Sequence, residues 1–194
     1  QGYIAFARMV SGMGTTIFAA HSIAITAEQI VYIPGYGLRV ATSTLVGNAL
    51  GEKDIRKLKA TERVSILITL LIMVVNGIGL YLFAYPFMRL FTNSVNAARI
   101  GSEMLRLVSF SEPFFGLMIV LEGISYGMGR TKHVFACEAV SMWGIRLTLA
   151  SLLAPHFGLV GVWMAMSFEL TIRGVLFLVR LALSLIHISE PTRL

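Results

Sequence analysis

From Val64 to Met88 the chain runs for 25 positions without one charged side chain. As a helix, such a run is long enough to cross a hydrocarbon core of about 30 Å with some tilt. Lipid offers the peptide backbone no hydrogen-bond partner, so a stretch of this length rich in Leu and Ile must close its hydrogen bonds internally. Alternating apolar strands of about ten residues, the mark of a membrane barrel, are absent. Four other spans are less pure: Ala19 to Val46, Leu107 to Tyr126, Val134 to Leu153 and Gly158 to Val179 each carry ionisable residues. With the apolar opening, Tyr3 to Val10, taken as a truncated first helix, the expectation is an all-α integral membrane protein of six helices.

Composition supports this. Hydrophobic residues make up 56% of the chain and charged residues 13%, against about 25% charged in soluble domains, which excludes an ordinary water-soluble enzyme. The net charge of +6 does not point to nucleic acid, because the basic residues cluster in the breaks between spans. Gly51 to Arg63 holds Lys53, Arg56, Lys57, Lys59 and Arg63, which places that loop on the cytoplasmic side. Arg130 and Lys132 put the next-but-one break inside as well, and Pro155 to Leu159, free of Lys and Arg, falls outside. Arg89, Arg99 and Arg106 depart from this pattern, less so if Ala97 to Arg106 forms a helix along the interface. Cys137 has no partner for a disulfide or a thiolate metal site. His21, His133 and His156 stand at span ends without metal-ligand spacing, and Gly127 to Gly129 is too short for a dinucleotide fingerprint. No cofactor and no metal are expected.

Both ends read as accidental. The chain opens on Gln1 and enters an apolar segment at once, as if inside a helix. The string LSLIHISEPTR, Leu183 to Arg193, resembles the translation of a transposase adapter used in shotgun sequencing libraries. Residues 183–194 are therefore expected to be an artefact and residues 1–182 a transmembrane lobe.

Within the spans, helix breakers and ionisable residues mark the functional candidates. Pro34, Gly35 and Gly37 sit in the middle of the second span, and Pro113 with Gly116 in the fourth. Proline kinks a helix and glycine lets two helices approach closely, a combination suited to a transporter. An ionisable group inside a span is expensive and is a functional candidate by default. Glu169 and Arg173 are spaced to pair on one helix face, and Glu138 is within reach of Arg146, so both carboxylates read as structural. Glu28 differs, because a kink six residues later at Pro34 opens a wet cleft towards it and makes it a proton switch. Arg39, on nearly the same face, is a counterion. Glu112 and Glu122 precede Pro113 and Gly123 and are expected to face the interior beside Phe114, Phe115, Met118 and Tyr126, with Tyr36 from the second span. Aromatic and Met side chains around a carboxylate hold greasy organic cations.

The order of residues carries a resemblance. AAHSIA, Ala19 to Ala24, is followed by IPGYGLRVATSTLVGNALGEKD, Ile33 to Asp54; then come SEPFFGLMIVLEGISYGMGRTKH, Ser111 to His133, and SMWGIRL, Ser141 to Leu147. Together these resemble the eighth, tenth and eleventh helices of the multidrug and toxic compound extrusion family, and the match covers nearly all of residues 1–182. Two departures stand out. Many members carry an acid where Arg130 precedes Thr131, and the acidic residue of the family's first helix has no counterpart in this sequence.

The resemblance implies the carboxy-terminal half, helices seven to twelve, of a twelve-helix secondary transporter in a bacterial inner membrane. Such a protein exports organic cations or amphiphilic drugs in exchange for H+ or Na+, and needs an amino-terminal lobe as partner. Two other readings stay open: a lipid-linked saccharide flippase of the same superfamily, and an inactive structural membrane fragment.

Overall fold

A computed structural model describes residues 2–189. Of the expected tail, residues 190–194 lie outside the described residues. The described chain is helical almost throughout: α1 (Gly2–Ser11), α2 (Thr15–Gly51), α3 (Ile55–Arg89), α4 (Val95–Ser109), α5 (Glu112–Gly127), α6 (Thr131–Val140), a π-helical segment Ser141–Leu147, and α7 (Thr148–Ser189).

Short polar punctuation separates the helices. Asp54 caps α3, its side chain accepting from the Lys57 backbone N–H at 3.0 Å, while Lys57 Nζ pairs with Glu52 at 2.6 Å. Ser94 caps α4 by accepting from the Ala97 N–H at 3.3 Å; both caps satisfy a donor that the helix itself leaves open. Of the loop expected over Gly51 to Arg63 only Glu52 to Asp54 is a turn; Arg56, Lys57, Lys59 and Arg63 stand in the opening turns of α3, so the basic cluster sits at the junction of two long helices of 37 and 35 residues. Pro34 lies inside α2, which continues through it.

The fourth span differs from its expected bounds. Helix begins already at Val95, and the segment is two helices, α4 and α5, bent by 59°. Pro113 stands in the first turn of α5, where its missing N–H costs nothing. Ala97 to Arg106 is helical, with Ala97, Ala98, Gly101, Ser102, Met104 and Leu105 buried. Arg99, Glu103 and Arg106 share the exposed face.

Pro155 to Leu159, expected as a loop, is a break of a single residue. Gly158 adopts φ 58°, ψ −136°, a left-handed conformation open to glycine and strained for other residues. The chain folds back there, because Arg146 and Glu169, 23 positions apart, are in contact at 2.6 Å. A straight helix would hold them roughly 35 Å apart. The two last spans are therefore the legs of one antiparallel hairpin.

α2 is the central helix, packed on α5, α3 and α4. Its approach to α5 depends on missing side chains: a Cβ at Gly123 would fall 2.7 Å from the Arg39 carbonyl oxygen, and one at Gly127 2.6 Å from that of Ser43. Asn76, the polar group in the middle of the purest span, donates to the Val31 carbonyl at 3.3 Å, beside Pro34. On its outer side α3 presents Leu67, Leu71, Val75, Ile78 and Leu82, all exposed, at helical spacing. This is a surface made for lipid. Long apolar helices with such outer faces make the chain a multi-pass membrane protein.

Candidate functional site

One face of α2 supplies the site. Ile25, Glu28, Gln29, Tyr32, Tyr36 and Arg39 recur at helical spacing and line a recess of about 240 Å³. Phe115, Met118 and Glu122 enter it from α5 at the same periodicity. Arg146 comes from the π-helical segment, Glu138 from α6, and Met166, Leu170 and Arg173 from α7, with Phe6 of α1 closing one side. Gln29, Tyr36 and Glu138 on the rim are more open, whereas Glu28, Tyr32, Glu122 and Arg146 are buried. The recess is thus a polar, charged depression that opens from the apolar body of the lobe.

Three arrangements occupy it. At the base, the Tyr32 hydroxyl donates to Glu28 Oε1 at 2.5 Å, and the Tyr32 ring stacks on Phe115 with centroids 3.8 Å apart. Beside it, Arg39 Nη1 donates to Glu122 Oε2 at 3.1 Å. The Arg39 guanidinium lies 5.1 Å from the Tyr36 ring centroid and 5.9 Å from that of Tyr126. Across the recess runs a buried ion network that rivets the α7 hairpin. Arg146 reaches Glu169 through Nη2 at 2.6 Å and Nε at 3.1 Å, Ser141 donates to the same carboxylate, and Arg173 meets it at 2.8 Å. Arg173 also approaches Glu138 at 3.7 Å.

Several candidates from the sequence meet here and others do not. Glu28, Glu122, Tyr36, Phe115 and Met118 line the recess, and Tyr126 borders it through Arg39. Glu112 is buried outside this lining, on the α3 side, where a Cβ at Gly77 would touch its side chain at 3.1 Å. Neither of its oxygens has a hydrogen-bond partner among the described residues. The Phe114 carbonyl lies against Gly174, and its ring is partly exposed away from the lining. A Cβ at Gly35 would meet the Ile119 and Met73 side chains at 3.5 Å, an ordinary contact, whereas one at Gly37 would meet open space.

The pairing of charges is corrected at Glu138 and extended at Arg39 and Glu169. Arg39, expected as a counterion with no partner assigned, serves Glu122 of α5. Glu138, expected to meet Arg146, is approached by Arg173 of α7, while Arg146 is engaged with Glu169. Glu169 pairs with Arg173 as expected, and with Arg146 in addition. His21, expected at the interface, is buried and accepts from Trp163 Nε1 at 3.1 Å through Nδ1; the His133 side chain lies outside the described residues. Sequence reasoning missed Arg146 and Arg173 as parts of the site wall. The available signal was the π-helical stretch SMWGIRL, with an Arg inside an apolar span.

Chemically, the recess can hold a proton or small cation on a buried carboxylate, and a flat cation between carboxylate and aromatic rings. Among the described residues, no group of three or more His, Cys, Asp or Glu side chains converges as a metal site.

Known proteins share this architecture. The chain is 29% identical over 179 residues to the probable multidrug resistance protein NorM of Thermotoga maritima, covering 90% of this chain and 38% of that protein. The multidrug resistance protein NorM of Aliivibrio fischeri is 25% identical, with 92% and 40% covered. The chain thus spans about two-fifths of the length of these relatives. Among solved structures, the MATE transporter VcmN of Vibrio cholerae in its bent form superposes with a TM-score of 0.84 at 18% identity, over 92% of this chain and 41% of that one. A MOP superfamily transporter from Pyrococcus furiosus superposes with 0.85 at 19% identity, over 91% and 39%. The MatE family profile matches residues 2–152, most of the described chain, and with the helical fold in agreement the chain belongs to the MatE family.

Proposed function

We propose that residues 1–182 form the carboxy-terminal lobe of a multidrug efflux antiporter, exporting organic cations or amphiphilic drugs in exchange for H+ or Na+ and working with an amino-terminal lobe across a central cavity. The names of the NorM relatives support multidrug transport. The observation that carries the reading is the recess itself, with Glu28 and Glu122 at buried positions beside Tyr36, Phe115 and Met118. In such a lobe the carboxylates exchange coupling ion for substrate as the two lobes rock.

A lipid-linked saccharide flippase is the second reading, favoured by three arginines on the recess wall. Each, however, lies within reach of a carboxylate: Arg39 of Glu122, Arg146 of Glu169, and Arg173 of Glu169 and Glu138. Glu28 accepts from a tyrosine instead, which leaves an acid and not a base as the charge open to a ligand. In the two-lobed transporter, Glu28→Gln and Glu122→Gln are each expected to slow ethidium efflux from loaded cells about tenfold or more, the size of one lost charge-assisted contact. Unchanged efflux in both variants would overturn the carboxylate assignment, and transport by vesicles holding this chain alone would overturn the need for a second lobe.

A further inference from the structure

The Arg39 guanidinium occupies the surroundings that a flat organic cation would seek. It is held by Glu122 Oε2 at 3.1 Å, by the Tyr36 ring at 5.1 Å and by the Tyr126 ring at 5.9 Å. Carboxylate plus aromatic faces is the general chemistry of cation recognition in low-dielectric sites. Two details distinguish this cage from a structural salt bridge. The partners are unequally buried, since the Arg39 side chain keeps 30% of its exposure while Glu122 keeps 1%; the base of the cage is fixed and its cation stands at the mouth. Glu122 Oε1, also buried, accepts no hydrogen bond among the described residues, so the carboxylate retains an acceptor for a ligand.

We propose that Arg39 is a tethered stand-in for substrate: it occupies the Glu122–Tyr36–Tyr126 cage when the transporter is empty, and an incoming flat organic cation displaces it. This rests on the efflux reading above and adds a named cation site with a built-in competitor. The competitor prevents a buried bare carboxylate in the empty state, which would be costly, and it lowers apparent affinity by the fraction of time the cage is self-occupied. Release then becomes an exchange between two cations, in which Arg39 returns as the drug leaves.

The test is direct binding of tetraphenylphosphonium and ethidium to the purified two-lobed transporter in lipid nanodiscs, with thermal melting as a check on folding. Arg39→Gln is expected to tighten binding about tenfold, the factor for a cage nine-tenths self-occupied, while ethidium efflux slows because no internal cation drives release. Arg39→Lys, which keeps the charge and loses the planar stacking, should lie between. Adding Tyr36→Ala to Arg39→Gln should abolish the gain. Should Arg39→Gln fail to fold, Arg39→Lys and Tyr126→Ala decide the matter, the first by tightening and the second by weakening binding. Cation binding that is unchanged or weaker in both Arg39 variants, with Glu28→Gln and Glu122→Gln still impairing it, would overturn the stand-in and leave the efflux reading intact. No cation binding by wild type or any variant would overturn both.

Discussion

Among single residues, the sharpest energetic commitment is the carboxylate of Glu169. It is fully buried and receives Arg146, Arg173 and Ser141 together. Removing one member of such a set strands the others in a place where water cannot compensate. Arg146→Ala is expected to destabilise the lobe by about 3 kcal/mol, the low end for breaking a buried pair because Arg173 remains. Arg146→Met combined with Glu169→Leu should lose clearly less than the sum of the two single changes, since the pair leaves together; thermal denaturation in detergent micelles measures both. Much of this scale was legible in the sequence: apart from Arg8 in the short first helix, the ionisable residues inside spans could be picked out, because the cost of placing them there is independent of fold. Partner choice within one helix was legible, as for Glu169 and Arg173, but partner choice between helices was not. Arg39 and Glu122 are 83 positions apart, and no periodicity within a helix reports which neighbour passes by.

At the level of elements, contact between α2 and α5 is set by the glycines of α5. Gly123→Ala should cost about 1–3 kcal/mol by overpacking, because the Arg39 backbone cannot yield without moving a helix. Gly37→Ala is the contrasting variant. Nothing lies within 4 Å of its Cβ position, so the change is expected to be neutral or to stabilise by up to about 1 kcal/mol through helix propensity. Comparing the folded yield and melting temperature of the two variants checks the contrast. The sequence showed both glycines as breakers in a span and had no means of telling them apart, since close approach belongs to the pair of helices. Span existence was readable from length and apolarity alone. The bend of 59° before α5 and the joining of α4, from Val95, to the same span were less so, because α4 is amphipathic and its charges, Arg99, Glu103 and Arg106, suggest a helix lying along the interface.

For the whole molecule, the charge pattern and the fold agree on one arrangement. The capped start of α3, with Arg56, Lys57 and Lys59 in its first turns, and the turn with Arg130 lie at one end of the helices, and the reversal at Gly158 lies at the other. By the positive-inside rule the basic turns face the cytoplasm. In a Cys137→Ser background, Arg56→Cys is expected to react with a membrane-impermeant maleimide only after the cells are permeabilised, and His156→Cys in intact cells. The reverse pattern would invert the topology. Orientation is legible in the order of residues because loop charge acts during insertion, whereas the recess exists only once six stretches of chain have met.

The reversal at Gly158 also bears on how such a protein enters the bilayer. Arg146 and Glu169, delivered singly to the oily interior, would each carry a penalty of about 2.5–3.5 kcal/mol on insertion scales. Hinged at one glycine, the two legs can slip in side by side, already neutralising one another. Substituting Gly158 with a β-branched residue would then tell first on biogenesis, as chains stalled or degraded at the translocon, before any defect in a mature transporter is felt.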